Sequence, residues 1–385
     1  MKWETRALGH LVTKIGSGNT PDGGQAAYLA SGVPLIRSQN VHMNRFEPKG
    51  LAFISEEQDR RMSGSRVEVS DVLLNITGAS IGRVCVAPAD RCPANVNQHV
   101  SIIRCGDSLD AHYLAFHLSS PVIQDLIWNS QAGATRQALT KKQIEEFKVL
   151  LPPLPEQKRI AARLREQLAE VEKARHALQS QLEGLDTLAD AFIARALGDS
   201  TTRMLRIEEC LSEVTKGIGE KWAGFPVLGA TRAGAAAAKE PVGKTPQRYK
   251  PIVPGTIFYN PMRILLGSIA MLNEGEMPGI TSPDYVVMRT KPDVMNPVWF
   301  YRWFRSHFGA AFIKSLSRGA VRERLMFARL REALIPVPLL HVQDQFAAIV
   351  AEASTAQRAL NEQIEAIEKL PAGLLREMFA PALNE

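Results

Sequence analysis

The residues of this chain that could make or break bonds are few and poorly spaced for it. Val242-Gly243-Lys244-Thr245 has the closing half of a phosphate-cradling loop, in which backbone N–H groups and a lysine hold the phosphates. The first glycine of such a loop would stand at position 238, where the chain has Ala238, and Pro246 blocks the helix that should follow. Gly16-Ser17-Gly18 follows no strand of the right kind and reads as a turn, not a cofactor loop. His112 and His117 stand five apart in an apolar helical stretch, the setting of a packed histidine rather than a base or ligand. H-E-x-x-H and nuclease-type carboxylate clusters do not occur. Cys85, Cys92, His99 and Cys105 can be written as a zinc set, but their gaps match no usual ligand spacing. With Cys210 they read as reduced thiols, and no metal is expected.

Asn260-Pro261-Met262-Arg263 begins like the N/D-P-P-Y/F loop that holds a flipped adenine for N6-methylation. Met262 and Arg263 replace the second proline and the aromatic residue, so the tetrapeptide reads as a strand end. Groups suited to binding a polyanion are more plentiful. Over 385 residues the formal charge is +6, a mild lean toward such a partner. Arg302, Arg305, Lys314, Arg318, Arg322, Arg324, Arg329 and Arg331 fall between Arg302 and Glu332, opposed only by Glu323 and Glu332. The aromatics Trp299, Tyr301, Trp303, Phe304 and Phe308 interleave with its start at the spacing of a helix packed on a sheet, and read as core in the main. Basic side chains neutralise phosphates, while Arg, Asn and Gln on loops can read base edges. The candidate DNA contacts are therefore Arg37, Ser38, Gln39 and Asn40; Asn97 and Gln98; Thr135, Arg136, Gln137 and Lys141; and Arg263, Arg318, Arg322 and Arg324.

These groups recur because the chain repeats itself once. Asn75 and Asn260, Gly82 and Gly267, and Val84 and Ile269 each lie 185 apart. One residue of slip then carries Gly133 onto Gly319, Arg136 onto Arg322, Leu139 onto Leu325, Pro152 onto Pro338 and Gln157 onto Gln343, all 186 apart. So long a period is no solenoid repeat; it implies two copies of one module joined head to tail. In each copy, short apolar runs punctuated by Gly, Pro, Asn and Ser predict strands, as in 32–41 and 72–86. A helical stretch follows, near Ala111–Trp128 and Pro297–Leu316, then a proline-rich junction and a long helix.

The first long helix is expected from Glu156 to about Leu197, roughly 60 Å at 1.5 Å per residue. Its stripe of threes and fours includes Ile160, Leu164, Leu178, Leu185 and Phe192. The second is expected from about Gln343 to Met378, with Phe346, Val350, Leu360, Ile364 and Ile367 on its stripe and a kink or fraying at Pro371 and Gly373. Two single-striped helices in one chain most economically bury those residues against each other; the alternative is that each packs on its own domain. The expected architecture is mixed α and β: similar globular domains at 1–152 and 199–337, joined by long helices at 153–198 and 338–385. A pseudo-two-fold relation would pair these antiparallel as a coiled coil with a domain at each end.

The residues at the junctions carry a resemblance. LLPPLPEQKRI at 150–160, GVPLIRSQNV at 32–41, the Ile81-Gly82 turn within 72–84, NQHVSII at 97–103 and GATRQAL at 133–139 are similar, in this order, to signposts of specificity subunits of type I restriction–modification systems. The second copy departs from the pattern, with His341-Val342-Gln343 where the first has Pro155-Glu156-Gln157. The resemblance implies two target-recognition domains, each reading half of a split, asymmetric site in double-stranded DNA. It implies a chain without catalysis or cofactor of its own, which docks two methyltransferase subunits carrying S-adenosylmethionine and, with them, a helicase–nuclease restriction subunit. A lone methyltransferase and a coiled-coil scaffold without DNA specificity are the competing readings. No signal peptide opens the sequence and no apolar run reaches the roughly 20 residues of a membrane span, so a cytoplasmic protein is expected.

Overall fold

The computed structural model describes residues 3–130, 138–316 and 324–379. The chain divides into two compact units: Met1–Ala177 with Gln363–Glu385, and Leu178–Glu362.

The first unit is built on a four-stranded antiparallel sheet in the order Val12–Ser17, Val100–Cys105, Val72–Asn75, Val84–Val86. Its central strands are largely apolar because both faces are covered. Side chains alternate along a strand, so Val72, Leu74 and Ile103 enter one core while Leu73, Val100 and Ile102 enter another with Ile36 and Val96. A second sheet runs Ala52–Ile54, Val33–Ile36, Ala94–Val96, Arg66–Val67, with a parallel pair in its middle. Glu4–Ala7 pairs with Lys148–Leu151, tying the start of the domain to its end. Gly16 and Ser17 lie in a strand, which corrects the expected turn. Gly18 follows where a Cβ would sit 1.7 Å from the Val96 carbonyl oxygen, so only glycine fits.

The second unit repeats this sheet order: Leu211–Glu213, Val286–Thr290, Ile257–Tyr259, Ile269–Met271. Alternation recurs too, with Ile257, Tyr259, Val286 and Met288 in one core and Phe258 and Val287 in the other. Arg203–Arg206 pairs with Leu334–Val337 as the outer strands of the first unit do. The second layer differs: it is a hairpin, Leu228–Thr231 with Gly234–Ala237, and a separate pair, Lys250–Ile252 with Gly279–Thr281. Of the aromatics expected in the main as core, Trp299, Trp303 and Phe304 are buried, while Tyr301 and Phe308 are half-buried at its margin.

Each expected helical stretch is two helices, Ala111–Leu118 and Pro121–Asn129 in the first unit, Pro297–Arg305 and His307–Leu316 in the second. The long helices span Leu154–Leu197 and Leu340–Phe379. A buried glutamine fastens each to its domain in the same way. Gln157 Oε1 accepts from the Asp110 N–H (2.8 Å), and its Nε2 donates to the Ser108 and Pro152 carbonyls (2.9 Å each). Gln343 accepts from the Asn296 N–H (2.9 Å) and donates to the Val294 and Pro338 carbonyls (3.1 and 2.8 Å). Every partner is displaced by the repeat interval of 186 residues.

The helix stripes need correction at their ends. Ile160 and Leu164 lie in the core of the first unit, and Phe346 and Val350 in that of the second, rather than in a helix-to-helix seam. Leu375 and Phe379 also enter the first core, where the Phe379 ring meets Tyr113 and His117 edge-on at 5.5 and 5.0 Å. Ile193 and Ala196 enter the second, and Phe192 packs at its margin, 5.2 Å from Phe346. Leu178, Leu185, Leu360, Ile364 and Ile367 are half-buried. The second helix does not break at Pro371 but runs through it. Leu374, Leu375, Met378 and Phe379 lie beyond the proline and pack on the first core, which offsets the missing N–H bond.

Candidate nucleic-acid interface

In both units the turn after the third strand of the main sheet opens a cleft. In the first it follows Val72–Asn75. Gly78–Ser80 forms one 3-10 turn, Ile81 is buried as its anchor, and Gly82 (φ +85°) bends the chain back with its N–H on the Asn75 carbonyl at 2.9 Å. The Asn75 amide donates to the Ser38 carbonyl at 2.9 Å, bringing the 38–40 turn alongside. The cleft, of about 460 Å³, is lined by Ser38, Gln39, Thr77, Gly78, Ala79, Ser80, Arg83 and His99. The Thr77 hydroxyl lies 2.5 Å from His99 Nδ1, and the Gln98 amide 3.1 Å from His99 Nε2, so one imidazole links two polar groups at the rim.

Of the expected contacts here, Ser38 and Gln39 line the cleft and Gln98 lies at its edge. Arg37 is half-buried against the Tyr28 ring and donates to the Gly50 carbonyl at 2.6 Å, leaving little of it free. Asn40 and Asn97 are corrected. Asn40 is fully buried, accepts from the Arg37 N–H (3.1 Å) and donates to the Glu47 carbonyl (2.9 Å). Asn97 is buried and accepts from the His99 N–H at 3.2 Å. Both amides shape turns, as short amides commonly do. Lys141 is exposed in the first turn of a short helix, 3.7 Å from Glu145. Arg83 is not among the expected contacts. Arg83 sits beside a strand in a run that reads as core, and only the turn at Gly82 brings it to the cleft.

In the second unit, the matched turn follows Ile257–Tyr259. The Asn260 side chain accepts from the Met262 N–H at 2.9 Å, so the tetrapeptide is a strand end with its asparagine committed to the turn. Ile264–Leu266 forms the 3-10 turn and Gly267 (φ +81°) closes it. A cleft of about 500 Å³ is lined by Ile264–Gly267 with Arg232, Arg305, Ile313 and Lys314 among others. Arg263 is exposed on the same turn, and Arg324 is exposed farther along the chain.

Thr135, Arg136, Gln137, Arg318 and Arg322 lie outside the described residues. The first residues beyond them are fixed at the clefts. Ala138 bridges Thr77 and the Leu139 N–H donates to the Ile76 carbonyl at 2.8 Å, while the Leu325 N–H donates to the Pro261 carbonyl at 3.1 Å. Other charges are committed to partners within the unit: Arg104 makes a forked pair with buried Asp71 at 2.8 Å, and the exposed Arg66 pairs with Asp59. Burial pushes the Cys85 thiol up to about 12, which makes it a poor nucleophile. Among the described residues no cluster of His, Cys, Asp or Glu is placed to hold a metal, and no helix is long and apolar enough to cross a membrane.

The chain is thus a duplicated sheet domain with a cleft beside the same turn of each copy, punctuated by long helices. Residues 1–181 match the family described as type I restriction modification DNA specificity domain. The chain is 27% identical over 183 residues to the EcoBI specificity subunit of Escherichia coli, covering 47% of this chain and 38% of that protein. It is 29% identical over 171 residues to the putative MjaX specificity subunit of Methanocaldococcus jannaschii, covering 42% and 36%. The match thus spans less than two fifths of either relative. The fold is shared along nearly the whole chain. A chain solved in work on complex assembly and conformational transition of the type I R-M system superposes with a TM-score of 0.69 at 16% identity, covering 99% of this chain and 98% of that one. The HsdS subunit of Thermoanaerobacter tengcongensis gives 0.58 at 16%, covering 99% and 97%. The likeness is one of fold: two mixed sheet-and-helix domains and two long helices.

Proposed function

We propose that this chain is the DNA-reading subunit of a type I restriction–modification complex, each unit recognising one half of a two-part, asymmetric site. The observation that supports this most is that the repeated turn borders a cleft in each half, walled by Ser38, Gln39 and His99 in the first unit and by Arg232, Arg305 and Lys314 in the second, each beside the anchored flank of a basic segment. In this reading the chain catalyses nothing and holds no cofactor. Methyltransferase subunits supply S-adenosylmethionine chemistry on adenine, two of them dock on the helices, a helicase–nuclease subunit joins them, and the assembly works in the cytoplasm. A lone methyltransferase is disfavoured by Asn260, whose side chain serves its own turn.

The test is methylation mapping of cells expressing the chain with a partner methyltransferase subunit. One split motif should be modified, with none modified when either protein is omitted. Methyl transfer by the purified chain alone would sink the reading.

A further inference from the structure

The repeated turn has opposite surface chemistry in the two units. In the first it offers Thr77 and Ser80, with Ile81 as its buried anchor. In the second the anchor is Ile264, 3% exposed, three residues before Gly267 rather than one. Leu266, which takes the place of Ile81 in the repeat, is thereby released and is 73% exposed, with Leu265 at 51% and Met262 at 61%. A turn needs one anchor, and adjacent large apolar side chains left in water mark a contact surface.

The surroundings indicate what meets them. Arg232 and Lys314 line the cleft beside Leu265 and Leu266, and Arg263 projects from the same turn; none of the three has an acidic partner among the described residues. Arg305, by contrast, is committed. It donates to the Ile269 carbonyl (3.0 Å), the Tyr301 hydroxyl (2.7 Å) and the Arg232 carbonyl, which pins the turn against the neighbouring hairpin. An apolar centre with a rim of unpaired cations is complementary to a major groove, whose walls are phosphates and whose one apolar base substituent is the 5-methyl of thymine.

We infer that Leu265 and Leu266 pack against thymine methyl groups in the half-site read by the second unit, with Arg232, Arg263 and Lys314 on the flanking phosphates. This deepens the reading proposed above and rests on it. The first unit, with polar groups on the matched turn, reads its half through hydrogen bonds there. The two halves of the site are thus distinguished by chemistry as well as by sequence.

Deoxyuridine pairs as thymidine does but lacks the methyl, so exchanging thymidines singly across the whole site tests the inference in binding assays with the full chain. In one half only, exchange at one or two positions should weaken binding about fourfold per methyl lost. The double variant Leu265→Ser, Leu266→Ser should bind both duplexes alike. Both residues are exposed, so its thermal unfolding should match that of the parent. Arg263→Ala should weaken binding to both duplexes equally and lower the salt slope by about one.

A chain that binds its site but ignores every exchange overturns the inference and leaves the proposed function standing. Absence of any sequence-selective binding removes both. A double variant that still discriminates against deoxyuridine shows that the methyl is read elsewhere. One that keeps that discrimination but no longer assembles with a methyltransferase subunit shows that the turn is a protein-docking surface. Either result overturns the inference.

Discussion

Gln157 and Gln343 show what a single buried side chain does here. Each amide satisfies one backbone N–H and two carbonyls where a long helix leaves its domain. Removing such a side chain leaves buried polar groups unpaired, which costs more than the bonds contributed. Gln157→Ala is expected to destabilise the first unit by about 3 kcal/mol, and Gln343→Ala the second by a similar amount. Urea unfolding followed by domain-specific probes would show it; a loss below about 1 kcal/mol would mean that water takes over the three bonds. The glutamines were visible in the sequence as a repeated position. Their role was not, because the partners are backbone atoms up to 49 residues away. The same limit applies to Asn40 and Asn97, whose type suits base reading and turn-making equally.

His117 carries a pH signature. Its Nε2 lies 2.9 Å from the Lys148 carbonyl, so that nitrogen holds the proton and Nδ1 is a buried acceptor without a partner. Burial pushes its pKa from 6.5 down to about 4, against the smaller opposing effect of that hydrogen bond. The unfolded chain therefore binds the proton first as pH falls. This group costs nothing above pH 6.5; between about 6.5 and 4 it lowers stability progressively, to a total of about 3 kcal/mol. His117→Gln should flatten that part of the stability–pH curve for the first unit, as measured by urea midpoints at pH 7 and 4.5. An unchanged slope would place the acid sensitivity elsewhere.

At the scale of the element, the long helices were legible in length and in stripe but not in what the stripe meets. Spacing in threes and fours is the same for a helix laid on a sheet domain as for one in a coiled coil. Ile160, Leu164, Phe346 and Val350 fit either, and the sheet cores claim them. At Pro371 local propensity disfavours helix, and burial of Leu375 and Phe379 beyond it overrides propensity, so the last turns do not fray. The proline remains a weak point. Pro371→Ala restores an N–H donor within the helix and relieves the clash of the ring with the preceding turn, so it should stabilise the protein by about 1–3 kcal/mol. Thermal unfolding reads this directly. A destabilised variant would mean that the proline shapes a local bend on which the docking of Phe379 depends.

For the molecule as a whole, the duplication predicts divisible specificity. Each unit has its own main sheet in the same strand order, its own apolar cores on the two faces of that sheet and its own cleft. Replacing residues 1–152 with a foreign recognition domain, while keeping 153–198 and 338–385, should therefore change one half of the modified site and leave the other half intact. The structure adds a condition. The incoming domain must accept Phe379, which packs between the positions of Tyr113 and His117, and must supply the backbone groups that Gln157 bonds. A domain with a bulkier residue at the position of His117 would displace the end of the last helix and lose stability through overpacking, by about 1–3 kcal/mol. Its hybrid should unfold earlier yet still choose its own half-site. Single-molecule methylation sequencing of cells carrying the hybrid and the partner methyltransferase separates the outcomes. A motif altered in one half supports independent reading by the two units, whereas a motif altered in both halves would mean that they read the DNA as one surface.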